Sequence, residues 1–292
     1  MNYSKPTSYV GIVSYDAGGA EVVSSYVKRN DVDCMYCLSG PAVEIFNKKL
    51  GVITTSSLEK CLAECDWLLC GTGASEHEWR AITAAKEIGK RVIVFLDHWT
   101  AYKDRFIKNG KMTLPDEIWV GDTFAKKIGH KAFPELSIKL VPNPYWADIN
   151  DGLNLLSTKA RSSYVGIKIL YVCEPTWSDP NDLRWPGYTD HEALRYFLEC
   201  ISEGNEVIKT ISIRPHPSEP RDKYAWVLEY SRTKVTITDK GDLLKEIVEN
   251  DWIVGRSSMA LVIGLIAGKK VVSCIPPGGE RCSLPYKEIC HL

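Results

Sequence analysis

Residues Trp252–Pro277 read WIVGRSSMALVIGLIAGKKVVSCIPP. The apolar run Trp252–Val254 stops at Gly255, as a short buried strand does. Ser257 and Ser258 then stand where a helix N-cap belongs, because their hydroxyls accept from the bare amides of a first turn. Met259–Ala267 is apolar almost all round, which marks a buried helix rather than an amphipathic one. Gly268 supplies the left-handed stop, and Val271–Ile275 is a second strand closed by Pro276 and Pro277. The helix start at a strand's carboxyl end is a natural seat for phosphate, since amides and helix dipole point there together. Upstream, Ile211–Pro217 (ISIRPHP) ends another strand in an Arg and a His. The expectation is that both strand ends face one pocket and hold a diphosphate.

The chain has 292 residues, 45% hydrophobic and 25% charged, with a formal net charge of -1. That length suits two domains, and the charge balance removes the electrostatic case for a nucleic-acid partner. The N-terminus has no signal-peptide core and no apolar run is long enough for a membrane span, so a cytoplasmic protein is expected. A peripheral contact with a membrane surface stays compatible with this. Cys70, Cys173 and Cys274 sit in apolar runs and read as buried free thiols in a reduced compartment. Cys34-x-x-Cys37 lacks the second ligand pair that zinc needs. Asp31-Val32-Asp33 precedes its strand, so no metal and no cofactor is expected.

Strands and helices alternate along both halves. In the first, the strands are Tyr9–Ser14, Cys34–Leu38, Val52–Thr54, Trp67–Cys70, Arg91–Leu96, Glu117–Val120 and Ile138–Val141. The helices between them are Glu21–Lys28, Pro41–Lys48, Leu58–Glu64, Glu76–Ile88 and Thr123–Ile128. Residues 148–165 are polar and read as a linker with a short helix at Leu153–Leu156. The second half repeats the pattern with strands Ile167–Val172, Val207–Ile213, Val235–Thr238 and the opening stretch, and helices His191–Ser202, Tyr224–Tyr230 and Asp242–Glu249. The expected architecture is α/β, two Rossmann-like, doubly wound parallel-sheet domains over residues 1–147 and 166–292, facing across a cleft. Ligands of such sheets sit beyond the carboxyl ends of the strands.

Five of those strand ends carry candidate chemistry. Asp97, His98 and Trp99 follow the most apolar strand of the first half. Asp97 is a candidate general base, with His98 an alternative and a helix cap or a pair with Arg105 the structural reading. Asp16, Ala17, Gly18 and Gly19 follow the first strand; small residues there let a sugar approach, with Asp16 on its hydroxyls or acting as the base. In the second half, Arg214, His216 and Pro217 lie on a loop stiffened by two prolines. Arg offers a charged fork to phosphate and His a proton. Glu174, Thr176, Gly255, Arg256, Ser257 and Ser258 complete the expected donor side.

Arg-Pro-His-Pro after a strand, followed by Ser-Ser opening a helix, resembles the second domain of bacterial surface-polysaccharide glycosyltransferases of the GT-B fold. These include capsule Kdo transferases, bacterial sialyltransferases and teichoic-acid polyol-phosphate transferases. The resemblance covers residues 167–277. It implies that the His-Pro pair, His216 and Pro217, and the Ser pair, Ser257 and Ser258, contact the phosphate or cytidine part of a nucleotide donor. It also implies an acidic base in the first domain, at a place where this chain has Phe95–Trp99 with His98 in place of a Gly. The expected activity is metal-independent transfer of a sugar from a nucleotide-sugar to a saccharide or lipid-linked saccharide acceptor. A nucleotide-sugar epimerase using Glu174, Asp179 and Asp239, and a non-catalytic sugar- or nucleotide-binding protein, are the alternatives.

Overall fold

A computed structural model describes residues 8–157, 166–176, 179, 181, 182, 185–230, 234–239 and 241–292. The chain divides into two compact units, Met1–Asp148 and Ile149–Leu292.

Unit 1 runs β1 (Val10–Ser14), α1 (Ala17–Asn30), β2 (Cys34–Leu38), α2 (Pro41–Leu50), α3 (Leu58–Glu64), β3 (Trp67–Cys70), α4 (His77–Glu87) and β4 (Val92–Leu96). A small antiparallel hairpin, β5 (Ile107–Lys108) and β6 (Lys111–Met112), comes next. Then follow β7 (Glu117–Val120), α5 (Thr123–Ala132) and β8 (Ser137–Leu140). The main sheet is six-stranded and parallel, in the order β2-β1-β3-β4-β7-β8. Its centre is the run Val92–Leu96, buried at every position. Each such side chain contributes about 1.5–3 kcal/mol of burial. Phe95 meets the Trp119 ring edge-on at 6.0 Å.

The helix α6 (Pro144–Ser157) carries the chain across the division. Unit 2 then runs β9 (Ile167–Val172), α7 (Asp190–Glu203), β10 (Ile208–Arg214), α8 (Val227–Tyr230), β11 (Val235–Ile237), α9 (Leu243–Glu249), β12 (Trp252–Gly255), α10 (Met259–Ile266), β13 (Lys270–Ser273) and β14 (Cys290–His291). Its parallel sheet has the order β11-β10-β9-β12-β13-β14. The core packs Ile169, Tyr171, Phe197, Ile211, Ile213, Tyr224 and Val254 together.

Both sheets reverse their strand order once. In unit 1 the reversal falls between β1 and β3, and in unit 2 between β9 and β12. At such a point the connections leave to opposite faces and open a crevice at the carboxyl ends of the strands.

Four local expectations need correction. First, α1 begins at Ala17, so Gly18 and Gly19 form its first turn rather than a loop. Asp16 already accepts, through its carbonyl, the amide of Ala20. Second, the stretch from 148 is helical to Ser157, not linker; Ile149 and Leu153, one turn apart, are buried beneath its polar composition. Residues 158–165 lie outside the described residues. Third, Val52–Thr54 forms no strand: Val52 is fully exposed and Thr55 makes only an isolated bridge to Tyr36. Fourth, Tyr224–Tyr230 is broken, a 3-10 turn over Arg221–Tyr224 preceding α8.

The glycine at 19 fixes how closely α1 approaches β3. A Cβ there would stand 2.8 Å from the Thr72 amide nitrogen and 3.1 Å from the Gly71 Cα, both backbone atoms that cannot swing aside. Gly19→Ala is therefore expected to lose about 1–3 kcal/mol of stability through overpacking. Urea unfolding of the two proteins checks this; an unchanged midpoint would contradict the close approach.

Candidate functional site

The unit 1 crevice is made by the ends of β1 and β3, with the end of β4 beside them. Asp16 has extended backbone ahead of α1, and its side chain makes no cap hydrogen bond. Its Oδ2 accepts instead from the Ser75 amide at 3.2 Å, across the β3–α4 loop. Gly73 is required beneath it, since a Cβ there would overlap that oxygen at 1.5 Å. Glu78, only 3% exposed, anchors this arrangement. Its two carboxylate oxygens accept from the Tyr15 amide at 2.7 Å and from the Ser75 hydroxyl at 2.9 Å. Ser75-x-x-Glu78 has the spacing of a capping box, but Glu78 reaches across to the chain before Asp16. That role was invisible in the sequence.

Asp97 is held differently. Arg105 Nη1 donates to Asp97 Oδ1 at 2.7 Å and to the Thr72 hydroxyl at 2.8 Å, and Thr72 lies 3.3 Å from the same carboxylate oxygen. Both charged side chains are largely covered, 15% and 14% exposed. The other oxygen of Asp97 lies over Gly18, where a Cβ would come within 1.9 Å of it. Asp97 is thus an ion-paired clasp between the ends of β1, β3 and β4, and the structural reading of this residue is the one the geometry matches. His98 has its Nδ1 3.1 Å from the Thr100 hydroxyl. Burial pulls its pKa below the ordinary value, against the pull of Asp97 and with that of Arg105. Trp99 lies largely buried beside His98, its ring 5.4 Å from the imidazole. It is 6% exposed and donates its indole N–H to Asp122 at 2.8 Å. Ala17 and Gly18 are exposed at the crevice, and Gly19 is buried.

In unit 2 the strand ends do not match the expected phosphate seat. Glu174, just past β9, accepts from the amides of Arg256 at 2.7 Å and of Ser257 at 3.1 Å. The start of α10 therefore already holds a carboxylate from its own chain. Gly255 permits this, because a Cβ would stand 2.7 Å from Val172 Cγ2. The Arg256 side chain turns back to the Glu174 carbonyl and lies over the Tyr188 ring at 5.5 Å. The Ser273 hydroxyl donates to the Arg256 carbonyl at 2.6 Å. Burial raises the Glu174 pKa, opposed by Arg256 and by the amides of residues 256, 257 and 258. Ser258 is the true N-cap, accepting from Ala260 at 3.1 Å, while the Ser257 hydroxyl accepts from the Ser283 amide at 3.2 Å. Thr176 accepts from the Asp190 amide at 3.0 Å and so braces α7.

Arg214 is likewise engaged. Its guanidinium donates to Glu246 at 2.6 Å and to the Gly241 carbonyl at 2.9 Å, and the side chain is 12% exposed. A strand-end Arg facing phosphate was expected; the α9 carboxylate takes it instead. His216 differs. The Ser218 amide donates to its Nδ1 at 3.2 Å, and the Ser218 hydroxyl lies 2.7 Å from the same nitrogen. An Nδ1 that accepts leaves the ring proton on Nε2 in the neutral imidazole. The ring is half-buried and Pro217 is exposed. The three carboxylates of the epimerase alternative are used separately. Glu174 holds amides, Asp179 closes a turn onto Asn181 at 2.8 Å, and Asp239 is exposed in a pair with Arg221.

Among the described residues no group of three or more His, Cys, Asp or Glu side chains is placed to hold a metal ion. Cys37 is buried with its sulfur 3.9 Å from His77 Nε2. Hydrogen bonding from Cys61, against burial and with help from His77, pulls its thiol down to about 5. No described helix is long and apolar enough to cross a membrane.

No protein-family model matches the chain, and no curated protein matches it in sequence. Solved structures do match its fold. A UDP-GlcNAc 2-epimerase from Methanocaldococcus jannaschii is similar with a TM-score of 0.60 at 13% identity, over 91% of this chain and 83% of that one. The S. aureus MnaA–UDP co-structure gives 0.61 at 11% identity, over 91% and 79%. Acinetobacter baumannii MurG gives 0.51 at 12% identity, over 93% and 78%. The fold is GT-B-like: two parallel six-stranded α/β sheets, as in these proteins.

If Glu174 fills an anion seat, emptying that seat should expose it. Glu174→Ala strands the Arg256 and Ser257 amides, while the Arg256 guanidinium keeps the carbonyl of residue 174, and should cost about 1–3 kcal/mol. Inorganic pyrophosphate should then raise the melting temperature of the variant more than that of the wild-type protein. Equal shifts in both would show that these amides do not accept an external anion.

Proposed function

We propose that this protein transfers a sugar from a nucleotide-activated donor to a hydroxyl of a saccharide or lipid-linked saccharide acceptor. The observation that carries the reading is His216: a half-buried imidazole at the carboxyl end of β10, beside the strand-order reversal, with Nδ1 engaged by Ser218. In that tautomer Nε2 carries the ring proton, and a phosphate oxygen is a natural acceptor for such a group. The nucleotide-sugar fold of both units supports the same reading as analogy. Unit 2 is assigned donor recognition, with the exposed Pro217 next to His216 in the chain and Ser258 at the start of α10.

Acceptor activation is assigned to unit 1. Asp16 is the preferred base, because its carboxylate is held by a neutral amide rather than by a cation. Asp97, clasped by Arg105, orders the crevice around it. In the reaction the acceptor hydroxyl gives its proton to Asp16 as its oxygen bonds to the anomeric carbon. The bond from that carbon to the phosphate oxygen breaks, and His216 hydrogen-bonds or protonates the departing phosphate. Epimerisation is the competing activity, since the fold is shared with epimerases.

A melting-temperature panel with CMP, CDP, UDP and GDP selects the nucleotide, and the matching nucleotide-sugar is then tested with and without acceptor. Transfer only in the presence of acceptor supports the reading. A change in the sugar without acceptor makes the protein an epimerase, and nucleotide binding without turnover makes it a binding protein. Within the transferase reading, His216→Ala should weaken nucleotide affinity by about tenfold, the loss of one charge-assisted hydrogen bond. Asp16→Asn should keep that affinity and lower turnover by roughly 10²- to 10⁴-fold. Near-normal turnover in Asp16→Asn together with its loss in Asp97→Asn would return the base to Asp97.

A further inference from the structure

Behind the His216 turn lies a compact polar cluster. The Tyr224 hydroxyl is 2.9 Å from Asp190 Oδ2 and 2.9 Å from Glu219 Oε2. Lys223 pairs with Glu219 Oε1 at 2.5 Å and with Asp190 Oδ2. The Tyr224 ring is fully buried, and the Glu219 and Asp190 side chains are 7% and 10% exposed. Glu219 Oε2 also accepts from the His216 amide at 3.3 Å, while the Glu219 amide donates to the His216 carbonyl at 2.9 Å. The turn 216–219 is thus tied at both ends to one carboxylate residue.

One hydroxyl proton faces two carboxylates, so Tyr224 can satisfy only one oxygen fully. Lys223, in contact with both carboxylates, offsets the remaining repulsion. Burial of such groups costs stability unless each has its partners. Burial raises the Asp190 pKa, but Lys223 and Tyr224 more than offset it, and the group lies below its ordinary value. Burial pushes the Tyr224 hydroxyl up, so it stays a donor.

We infer that Glu219, gripped by Tyr224 and Lys223, is a positioning residue that holds the His216 turn so that Ser218 meets Nδ1 and the ring proton stays on Nε2. The inference deepens the donor reading above and rests on it for its functional meaning. Glu219 touches no reacting atom. It acts through the backbone of His216, which orients the imidazole before any ligand arrives. Binding energy is then not spent on choosing a tautomer.

The test reads the imidazole directly. Long-range proton–nitrogen NMR spectra of the ligand-free protein, above the His titration, report the tautomer of His216. The wild-type protein should show Nε2–H alone. Glu219→Ala should give a mixture of tautomers with a retained fold, and Glu219→Gln, which keeps an acceptor oxygen for the His216 amide, should restore Nε2–H. Tyr224→Phe removes only the hydroxyl and should shift the mixture in the same direction. It carries the test on its own if Glu219→Ala does not fold. CMP and UDP affinities by calorimetry form the second readout, with about a fivefold loss expected in Glu219→Ala for whichever nucleotide the wild-type protein binds. A wild-type tautomer in Glu219→Ala or, failing its folding, in Tyr224→Phe overturns the inference. If the wild-type protein binds neither nucleotide, the donor reading fails for those ligands while the tautomer still decides the positioning role.

Discussion

The carboxylate of Glu174 on the amides of Arg256 and Ser257 is the contact on which unit 2 turns. It joins β9 to β12 where the sheet reverses its strand order. A helix start is a charge-hungry place, with orphan amides and a dipole. Here the chain supplies that charge itself. The price is the burial of a carboxylate, seen in its raised pKa. A group whose folded pKa is raised favours the folded state in its protonated form, so this cost is relieved as pH falls through the raised value and is present above it. Arg256, stacked on Tyr188, supplies part of the offset.

Unit 1 solves the same problem by a different route. Its reversal point is narrowed by glycines, and its buried acid, Glu78, ties the chain before Asp16 to Ser75 rather than seating on the start of a helix. Gly19 meets the backbone of β3, Gly18 carries Asp97, and Gly73 carries Asp16. Two carboxylates therefore face the same small-residue floor, one neutralised by Arg105 and one held by an amide. Identical residue types thus acquire different roles from their partners, a divergence that depends on contacts distant in sequence.

That divergence explains what was legible beforehand. The strands Trp67–Cys70, Glu117–Val120 and Ile167–Val172 were readable to the residue, because buried parallel strands are short apolar runs with sharp polar ends. The fold class followed from their alternation with helices. Elements whose stability is tertiary were misread. The helix α6 hides its buried Ile149 and Leu153 among Asn, Asp and Gly. The Asn109-Gly110 turn, with both residues at positive φ, was a readable hairpin signal that went unused. At the site, position relative to the strand ends was legible but partnership was not. Arg214 lies where expected at the end of β10, yet its partner Glu246 belongs to α9, and no pattern within either segment joins them.

The partnerships also bear on what the two crevices suit. With Arg214 and Arg256 committed to a carboxylate and a carbonyl, the two guanidinium groups expected on the donor side are spent within the fold. A net charge of -1 supplies little long-range steering for an anion. Recognition of a nucleotide would then rest on short-range hydrogen bonds from fixed groups, and an imidazole with a defined N–H is such a group. The same logic favours a neutral, hydroxyl-rich ligand over an anion beside Asp16 and Asp97, since hydroxyls can donate to carboxylates that a phosphate would repel. The proposed donor role of unit 2 and acceptor role of unit 1 agree with which charges each fold has already satisfied.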